Sequence, residues 1–293
     1  MEQQSSPSDH NFNSISPSAK SLLLMKGLTD IPFAKEGAKL IMYPEAYSPD
    51  AGLHEAGTLA RVVHFENRYW SIDQLLAETG ITNILEISSG YSFRGLHTVQ
   101  HNEVHYIDTD LPELTAVKKN MAAELGKQVS ERKGVLEILP LNAMDETEFE
   151  RVIALFPEGP IVIINEGLLM YLSEDEKLKL TRIIHTVLKK RGGFWITADI
   201  YIKRDVSKLE LKINEHQKEF FKKHQIEENW FESFEEAENF FRKAGFVIDK
   251  EAEVNPSKLS SMKFLLKNIN PEHLKKLRAG GKIQATWRLK LGK

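Results

Sequence analysis

The sequence predicts an α/β fold: a three-layer α/β/α sandwich around a seven-stranded, mostly parallel sheet whose last strand is antiparallel. Short apolar runs typical of buried strands alternate with segments of helical periodicity, which indicates successive β-α-β units. The run from Ile161 to Ile164 contains no polar residue, as expected for a parallel strand that is buried on both faces. Apolar residues at every second position from Ile283 to Leu289 predict a final strand at or near an antiparallel edge.

Local signals mark the ends of the predicted helices. Ser173 and Glu176 form a capping box that begins a helix, and the pair Gly192-Gly193 ends it. Ser233 with Glu236 repeats the signature of a helix start further along the chain. The predicted strands that precede the last one are Asn83–Ile87, Val104–Asp108, Leu136–Leu139, Ile161–Asn165, Phe194–Ala198 and Phe246–Asp249.

The chain of 293 residues is long enough for one large domain. Residues 1–16 are rich in Ser, Asn and Gln and predict a disordered leader, and residues 17–293 predict a single domain. This domain divides into a helical N-terminal cap (17–80), a ligand-binding core (81–200), a helical lid insertion (201–232) and the C-terminal part of the sheet (233–293). Ligands of open α/β sheets bind at the carboxyl ends of the strands, where we expect the cap and the lid.

The composition excludes several classes of protein. The chain has no cysteine, which excludes disulfides, thiolate zinc sites and cysteine nucleophiles, and no metal site is predicted. A net charge of -3 and the absence of an aromatic-basic stripe argue against a nucleic-acid partner. No export signal precedes the domain and no apolar run is long enough to span a bilayer. We therefore expect a soluble, cytoplasmic protein without a membrane partner; the oligomeric state is not predicted.

The turn after the first strand is the most informative segment. The strand carries the acidic Glu86 and leads into Ser88-Ser89-Gly90, where small residues allow a ligand to approach backbone amides at a helix N-terminus. A tight turn without a ligand explains this stretch equally well. The three glycine positions of a dinucleotide fingerprint hold Ser88, Gly90 and Phe93, so a nucleoside without a pyrophosphate, such as adenosylmethionine, fits better than a nicotinamide dinucleotide.

Acidic residues also stand at the ends of the second and fourth strands. Asp110 is favoured over Asp108 as the carboxylate that binds ribose hydroxyls, although Asp110 with Glu113 also resembles a helix N-cap. Glu166 directly follows the fourth strand, where a buried carboxylate needs a cationic ligand or a nearby Arg or Lys. The segment after the third strand is suited to contact the edge of an adenine base through a polar side chain and a backbone amide. The alternative is an ordinary loop in which Asp145 caps the next helix.

In this order and spacing, these motifs resemble the leucine carboxyl methyltransferase family, in the bacterial branch that includes polyketide O-methyltransferases of the tetracenomycin type. The resemblance implies a Rossmann-like methyltransferase fold of class I and S-adenosyl-L-methionine as the cofactor. It covers roughly residues 17–201. The matching segments are LARVVHFENRY, ILEISSGYSFRGL, VHYIDTDLP, LPLNAMD, INEGLLMYLSEDEK and RGGFWITADI.

The resemblance also implies roles for individual residues. Arg61 and, less closely, Lys20 match residues at the methionine carboxylate, and Glu166 matches the acid near the methionine moiety. Glu86 and Ser88 belong to the cofactor turn, although Ser88 replaces the usual glycine and Ser92-Phe93-Arg94 replaces Asp-Thr-Arg. Arg94 could pair with a carboxylate or cover the helix start. The remaining matches are Gly90 as the cofactor glycine, Asp110 as the ribose acid, and Asn142 and Ala143 as adenine contacts.

The expected reaction is methylation of an oxygen, a carboxylate or hydroxyl of a small metabolite or polyketide-like acceptor. A carboxylate is ionised at neutral pH and needs no base, whereas a phenol benefits from one. His97 and His105 lie near the turn in sequence, but neither is a clear candidate for a catalytic base. Tyr171 and Arg204 are candidates for orienting the acceptor; the alternative is that Tyr171 is core and Arg204 is surface. The other hypotheses are a protein C-terminal carboxyl methyltransferase, an NAD-dependent dehydrogenase and a non-catalytic nucleoside-binding module.

Overall fold

A computed structural model describes residues 16–48, 56–127, 131–203, 215–272, 274–275 and 281–292. Seven strands form one sheet in the order β3-β2-β1-β4-β5-β7-β6. The strands are β1 Asn83–Ile87, β2 His105–Asp110, β3 Val135–Pro140, β4 Ile161–Asn165, β5 Gly193–Tyr201, β6 Phe246–Glu251 and β7 Gln284–Leu291. The helices are α1 Ser16–Lys26, α2 Ala34–Met42, α3 Ala56–Ala77, α4 Arg94–His101, α5 Pro112–Gly126, α6 Glu146–Ile153, α7 Glu174–Arg191, α8 Glu215–Lys223, α9 Phe234–Lys243 and α10 Met262–Asn268.

Helices cover both faces of the sheet, as the predicted three-layer sandwich requires. Leu85 of β1 packs in a core cluster with α6, α7 and α9, whereas the adjacent Ile84 packs with α3 and α4 on the opposite face. This alternation follows from the period of two of a β-strand. β1 and β4 are fully buried and mostly apolar, and their predicted bounds are correct.

The final strand is antiparallel and lies next to the edge strand of the sheet, as predicted. β7 lies between β5 and β6 and is antiparallel to both. Gln284, Thr286 and Arg288 are buried like the apolar residues between them. Arg288 donates from Nη1 to the carbonyl of Leu75 in α3, at 3.0 Å, and from Nε to Asp249 of β6, at 2.7 Å. These partners compensate the burial of its charge between the sheet and α3.

The predicted helix starts are confirmed. Ser173 and Glu176 form a capping box at the start of α7, and Ser233 accepts a hydrogen bond from the Glu236 amide at the start of α9. Asp145 accepts from the Glu148 amide at the start of α6, so the capping alternative for this residue is observed. Within the described residues, no helix is both long and apolar enough to cross a membrane.

Candidate active site

A cavity of about 510 Å³ lies at the carboxyl ends of the parallel strands. Because these ends meet at one edge of the sheet, the residues that follow each strand converge there. Gly90 follows β1, Asp110 ends β2, Asn142 and Ala143 follow β3, and Glu166 follows β4; all of them line the cavity. Helices α1 and α3 and the segment that includes Phe220 and Phe221 of α8 supply the remaining walls.

Backbone amides of the turn after β1 and of the residue after β2 donate hydrogen bonds to the Asp110 carboxylate. The Gly90 amide donates to Asp110 Oδ2 at 2.7 Å, and the Leu111 amide donates to Oδ1 at 2.7 Å. Burial raises the pKa of Asp110, and these two hydrogen bonds oppose that effect. Ser88, with φ of 50°, and Gly90, with φ of 54°, both adopt the left-handed conformation, so Ser88 occupies a position that favours glycine.

The structure distinguishes between the two aspartates of β2. Asp108 does not line the cavity and accepts hydrogen bonds from Lys118 Nζ, at 2.7 Å, and from Ser89 Oγ. Asp110 is not the N-cap of α5, a position that Leu111 occupies. The Asp110 carboxylate therefore faces the cavity with oxygen lone pairs that the two amides leave available.

Glu166 lies among three cations of the protein. Its carboxylate accepts from Lys26 Nζ at 2.7 Å and from Arg94 Nη2 at 3.0 Å, and Arg68 Nη2 lies 3.5 Å away. Burial alone would raise the pKa of Glu166, but Lys26, Arg68 and Arg94 outweigh it and lower the pKa to about 2. The protein itself compensates this buried charge, so the burial of Glu166 does not by itself require a cationic ligand.

Arg94 pairs with carboxylates, which is the first of the two alternatives that the sequence left open. It is fully buried and pairs with Asp73, with Glu86 at 3.4 Å and with Glu166 at 3.0 Å. Its guanidinium also stacks 3.9 Å from the centroid of the Tyr69 ring. Arg94 thus holds the carboxylate of Glu166 in place from behind the cavity wall.

Two predicted cofactor residues lie outside the cavity. Glu86 is completely buried and accepts from Tyr106 Oη at 2.5 Å, on the face of β1 that α4 covers. Lys20 is exposed and does not line the cavity. From Ser18 to Lys26 of α1, every residue lines the cavity except Lys20 and Leu24, which are four positions apart and therefore lie on the same face of the helix, turned away from the cavity. Lys26, which the sequence reasoning missed, stands at the end of the helix and lines the cavity.

Asp199 is a second residue that sequence reasoning missed. Its buried carboxylate accepts from the amides of Gly167, at 2.6 Å, and Leu168, at 2.7 Å, and from Asn165 Nδ2, at 2.7 Å. It thereby fixes the turn that carries Glu166. Its position at the end of a parallel strand, β5, was the available signal.

Of the two residues predicted to orient the acceptor, Tyr171 and Arg204, the structure describes only Tyr171. Tyr171 lines the cavity, and its Oη is 3.3 Å from Ser18 Oγ of α1. Arg204 lies outside the described residues. Neither His97 nor His105 lines the cavity. His64 of α3 is 2.7 Å from Tyr201 Oη, and burial and the neighbouring Arg68 lower its pKa to about 3.

Arg61 lines the cavity and has no partner among the described residues. It is partly buried on α3 and makes no hydrogen bond or ion pair with any part of the chain that the structure describes. Burial lowers its pKa, and a guanidinium nevertheless stays charged at neutral pH. A partly buried guanidinium that lines a cavity fits an anionic group of a ligand.

The sequence comparison defines the class of protein. Residues 15–185, more than half of the chain, match the model of the leucine carboxyl methyltransferase family. This chain belongs to that family of S-adenosylmethionine-dependent methyltransferases, which excludes the dehydrogenase hypothesis. No curated protein sequence matches the chain.

Solved structures are similar to this chain, and the first named here shares its fold. A DUF574 family protein from Streptomyces avermitilis is 12% identical, with coverage of 93% of this chain and 97% of that chain and a TM-score of 0.50. Mitomycin 7-O-methyltransferase MmcR is 13% identical, with coverage of 97% and 76% and a TM-score of 0.46. A pericyclic reaction enzyme is 11% identical with a TM-score of 0.42; the match covers 77% of this chain and 47% of that one. The chain thus spans less than half the length of that protein.

Proposed function

We propose that this chain is an O-methyltransferase that transfers the methyl group of S-adenosylmethionine to a carboxylate of a small metabolite. The observation that carries the choice of a carboxylate is the lack of a free base. No histidine lines the described part of the cavity, and its two carboxylates, Asp110 and Glu166, are engaged by amides and by cations. An acceptor that is already ionised at neutral pH needs no such base.

The described side chains fit the cofactor. Asp110 would bind the ribose hydroxyls, and Asn142 and Ala143 would contact the adenine. Arg61, which has no partner among the described residues, would bind the methionine carboxylate, and Glu166 would lie near the ammonium and sulfonium groups. The arrangement follows the order of the strands, because each of β1 to β4 contributes the residues at its own carboxyl end.

Bound S-adenosylmethionine supplies the methyl group: the acceptor oxygen bonds to that carbon while the carbon–sulfur bond breaks and its electrons stay on sulfur. An ionised carboxylate releases no proton in this reaction. The protein's contribution is alignment of the acceptor and exclusion of water. Tyr171, whose Oη donates to Ser18 Oγ of α1, would orient the acceptor.

The size of the cavity supports a small acceptor. About 510 Å³ lies within the range of small-molecule sites. A polyketide-like metabolite, as in the tetracenomycin-type branch, suits this volume better than a folded protein partner. Methylation of a protein C-terminus and of a hydroxyl are the alternatives, and a net charge of -3 gives no support to a nucleic-acid partner.

A labelled-methyl assay tests the proposal. The protein is incubated with methyl-labelled S-adenosylmethionine and an extract of the source cells that has been separated into protein and small-molecule fractions. We expect label in the small-molecule fraction that mild base releases, since methyl esters hydrolyse and ethers do not. Base-resistant label would indicate a hydroxyl acceptor, and label in the protein fraction a C-terminus. Cofactor binding without any transfer would indicate a non-catalytic binding module.

A further inference from the structure

Two arginines of α3 approach the cavity with hydrogen-bond donors that the described chain does not use. Arg61 has no partner there, as shown above. Arg68 is 2% exposed, and its Nη1 donates a hydrogen bond to Tyr201 Oη at 3.0 Å. Its Nε and Nη2 donate no hydrogen bond within the described ranges. The two residues are seven positions apart, so they project from the same face of α3 two turns from each other.

Bound S-adenosylmethionine would bring a net positive charge into the cavity, because its carboxylate, ammonium and sulfonium sum to one positive charge. The described lining holds the cations Lys26, Arg61 and Arg68 and the carboxylates Asp110 and Glu166, and Asp199 stands behind it, 3.7 Å from Arg68 Nη2. An anionic acceptor would offset the charge of the cofactor, because unpaired charge is costly in a water-poor site.

The cofactor has a single carboxylate for the two guanidinium groups. Arg68 stands beside the turn after β4, since a side-chain Cβ built on Gly167 would lie 3.0 Å from its Nη2. Its guanidinium also lies 5.6 Å from the centroid of the Phe65 ring, and Phe65 lines the cavity together with Met170, Phe220 and Phe221. This side of the cavity therefore combines an apolar wall with the Arg68 guanidinium, whose Nε and Nη2 donate no hydrogen bond to the described residues.

We propose that Arg68 binds the carboxylate of the acceptor, and that the rest of the acceptor is an apolar, aromatic or long aliphatic body packed against Phe65, Phe220 and Phe221. The inference rests on the proposed function, which assigns the cofactor carboxylate to Arg61. A guanidinium has the planar donor pair that a carboxylate matches, so Arg68 would hold the acceptor and orient one oxygen for attack. Glu166 and Asp199, at 3.5 Å and 3.7 Å from Nη2, maintain the orientation of the side chain.

Arg68→Gln and Arg68→Lys test this inference, with Arg182→Gln on the exposed face of α7 as the matched control. Each variant is measured for S-adenosylhomocysteine affinity by calorimetry and for labelled-methyl transfer. The acceptors are the small-molecule extract and a panel of benzoate, naphthoate and decanoate with the corresponding alcohols. We expect Arg68→Gln to raise the KM for carboxylates by about 10- to 100-fold and to change S-adenosylhomocysteine affinity by less than about threefold. Arg68→Lys should restore part of the loss.

The outcomes separate this inference from the proposed function. Equal losses of S-adenosylhomocysteine affinity in Arg68→Gln and Arg61→Gln would overturn it by placing Arg68 at the cofactor. A wild-type protein that binds S-adenosylhomocysteine but forms no base-labile product, or whose KM for carboxylates is unchanged in Arg68→Gln, would overturn it as well. If wild-type protein binds no S-adenosylhomocysteine, the proposed function itself fails.

Discussion

Lys26 Nζ lies 2.7 Å from Glu166 Oε1, and this buried ion pair ties the first helix to the end of β4 across 140 positions of the chain. The pair closes one side of the cavity, since α1 supplies its wall from Ser18 to Lys26. The carboxylate at the centre of the site and the helix above it are thus held by the same contact.

Lys26→Met should affect both stability and ligand binding. Glu166 would keep Arg94 and Arg68 but lose its shortest ion pair, so we expect a loss of about 2 kcal/mol in the free energy of unfolding and about 10-fold in S-adenosylhomocysteine affinity. Urea unfolding and calorimetry measure the two effects. The matched control is Lys20→Met on the exposed face of the same helix, for which neither quantity should change. A larger effect at Lys20 would contradict the observed orientation of α1.

Arg61→Gln should weaken binding only of ligands that carry the amino-acid moiety. Loss of a charged hydrogen bond costs about 1.5 to 3 kcal/mol, so S-adenosylhomocysteine affinity should fall about 10- to 100-fold. Methylthioadenosine has no carboxylate, and its affinity should stay within about threefold of the wild-type value. Equal losses for the two ligands in calorimetry would show that Arg61 does not bind the carboxylate.

Asp110→Asn should weaken both ligands alike, because both contain the ribose. The expected loss is again about 10- to 100-fold for S-adenosylhomocysteine and for methylthioadenosine. Asp108→Asn is the comparison: it breaks the buried pair with Lys118 and should lower the free energy of unfolding, while ligand affinity stays within about threefold. The reverse result would assign the ribose to Asp108.

Gly90→Ala should reduce ligand affinity by more than its cost in stability explains. Gly90 has φ of 54°, and a Cβ there would lie 3.5 Å from that of Ala19, inside the cofactor turn. We expect about 1 kcal/mol of backbone strain and about a 10-fold loss of S-adenosylhomocysteine affinity. Gly80→Ala is the control, because its φ is 62° and no atom lies within 4 Å of the new Cβ. Gly80→Ala should lower the free energy of unfolding in urea as much as Gly90→Ala does, and its S-adenosylhomocysteine affinity should equal that of wild-type protein.

The ionisation of Glu166 should contribute to stability in a defined pH range. Its folded-state pKa of about 2 is lower than the ordinary 4.5, so the unfolded chain takes up the proton first as the pH falls. The contribution is complete above pH 4.5 and is lost as the pH falls toward 2; this shift corresponds to about 3 kcal/mol.

Glu166→Gln removes this titration. Its free energy of unfolding should start lower than that of wild-type protein at pH 7 and fall less steeply between about pH 5 and 3. Urea unfolding across that range measures the difference. Glu158→Gln, at an exposed position, should keep the wild-type dependence. Parallel curves for wild-type protein and Glu166→Gln would mean that Lys26, Arg68 and Arg94 do not stabilise the ionised form.

Much of the fold and part of the site follow from local patterns. The predicted bounds of β1 and β4 are correct because each is a short, mostly apolar segment that is buried on both faces. The cavity lining includes Gly90, Asp110 and Glu166 because residues at the carboxyl ends of parallel strands must share one edge of the sheet. These inferences need only the order and type of the elements.

Side-chain direction and long-range pairing could not be predicted in the same way. The prediction that β7 lies at or near an antiparallel edge is confirmed, since only β6 lies beyond it, but nothing in its alternation reveals that β6 is the strand that adds there or that Asp249 pairs with Arg288. Glu86 was assigned to the cofactor turn, yet its side chain points to the α4 face, where Arg94 and Tyr106 bind it. A motif places a residue on a strand but leaves its partner undetermined.

The sequence by itself determined the α/β class, the family and the strand ends at which the cavity forms, since these depend on periodicity and on motifs of adjacent residues. Only the tertiary structure decided that Lys26 rather than Lys20 reaches Glu166, that Asp110 rather than Asp108 faces the cavity, and that Arg68 keeps unused donors beside it. The physical reason is that the partners of a buried charge come from distant parts of the chain. Their identity depends on how the helices rotate and pack over the sheet.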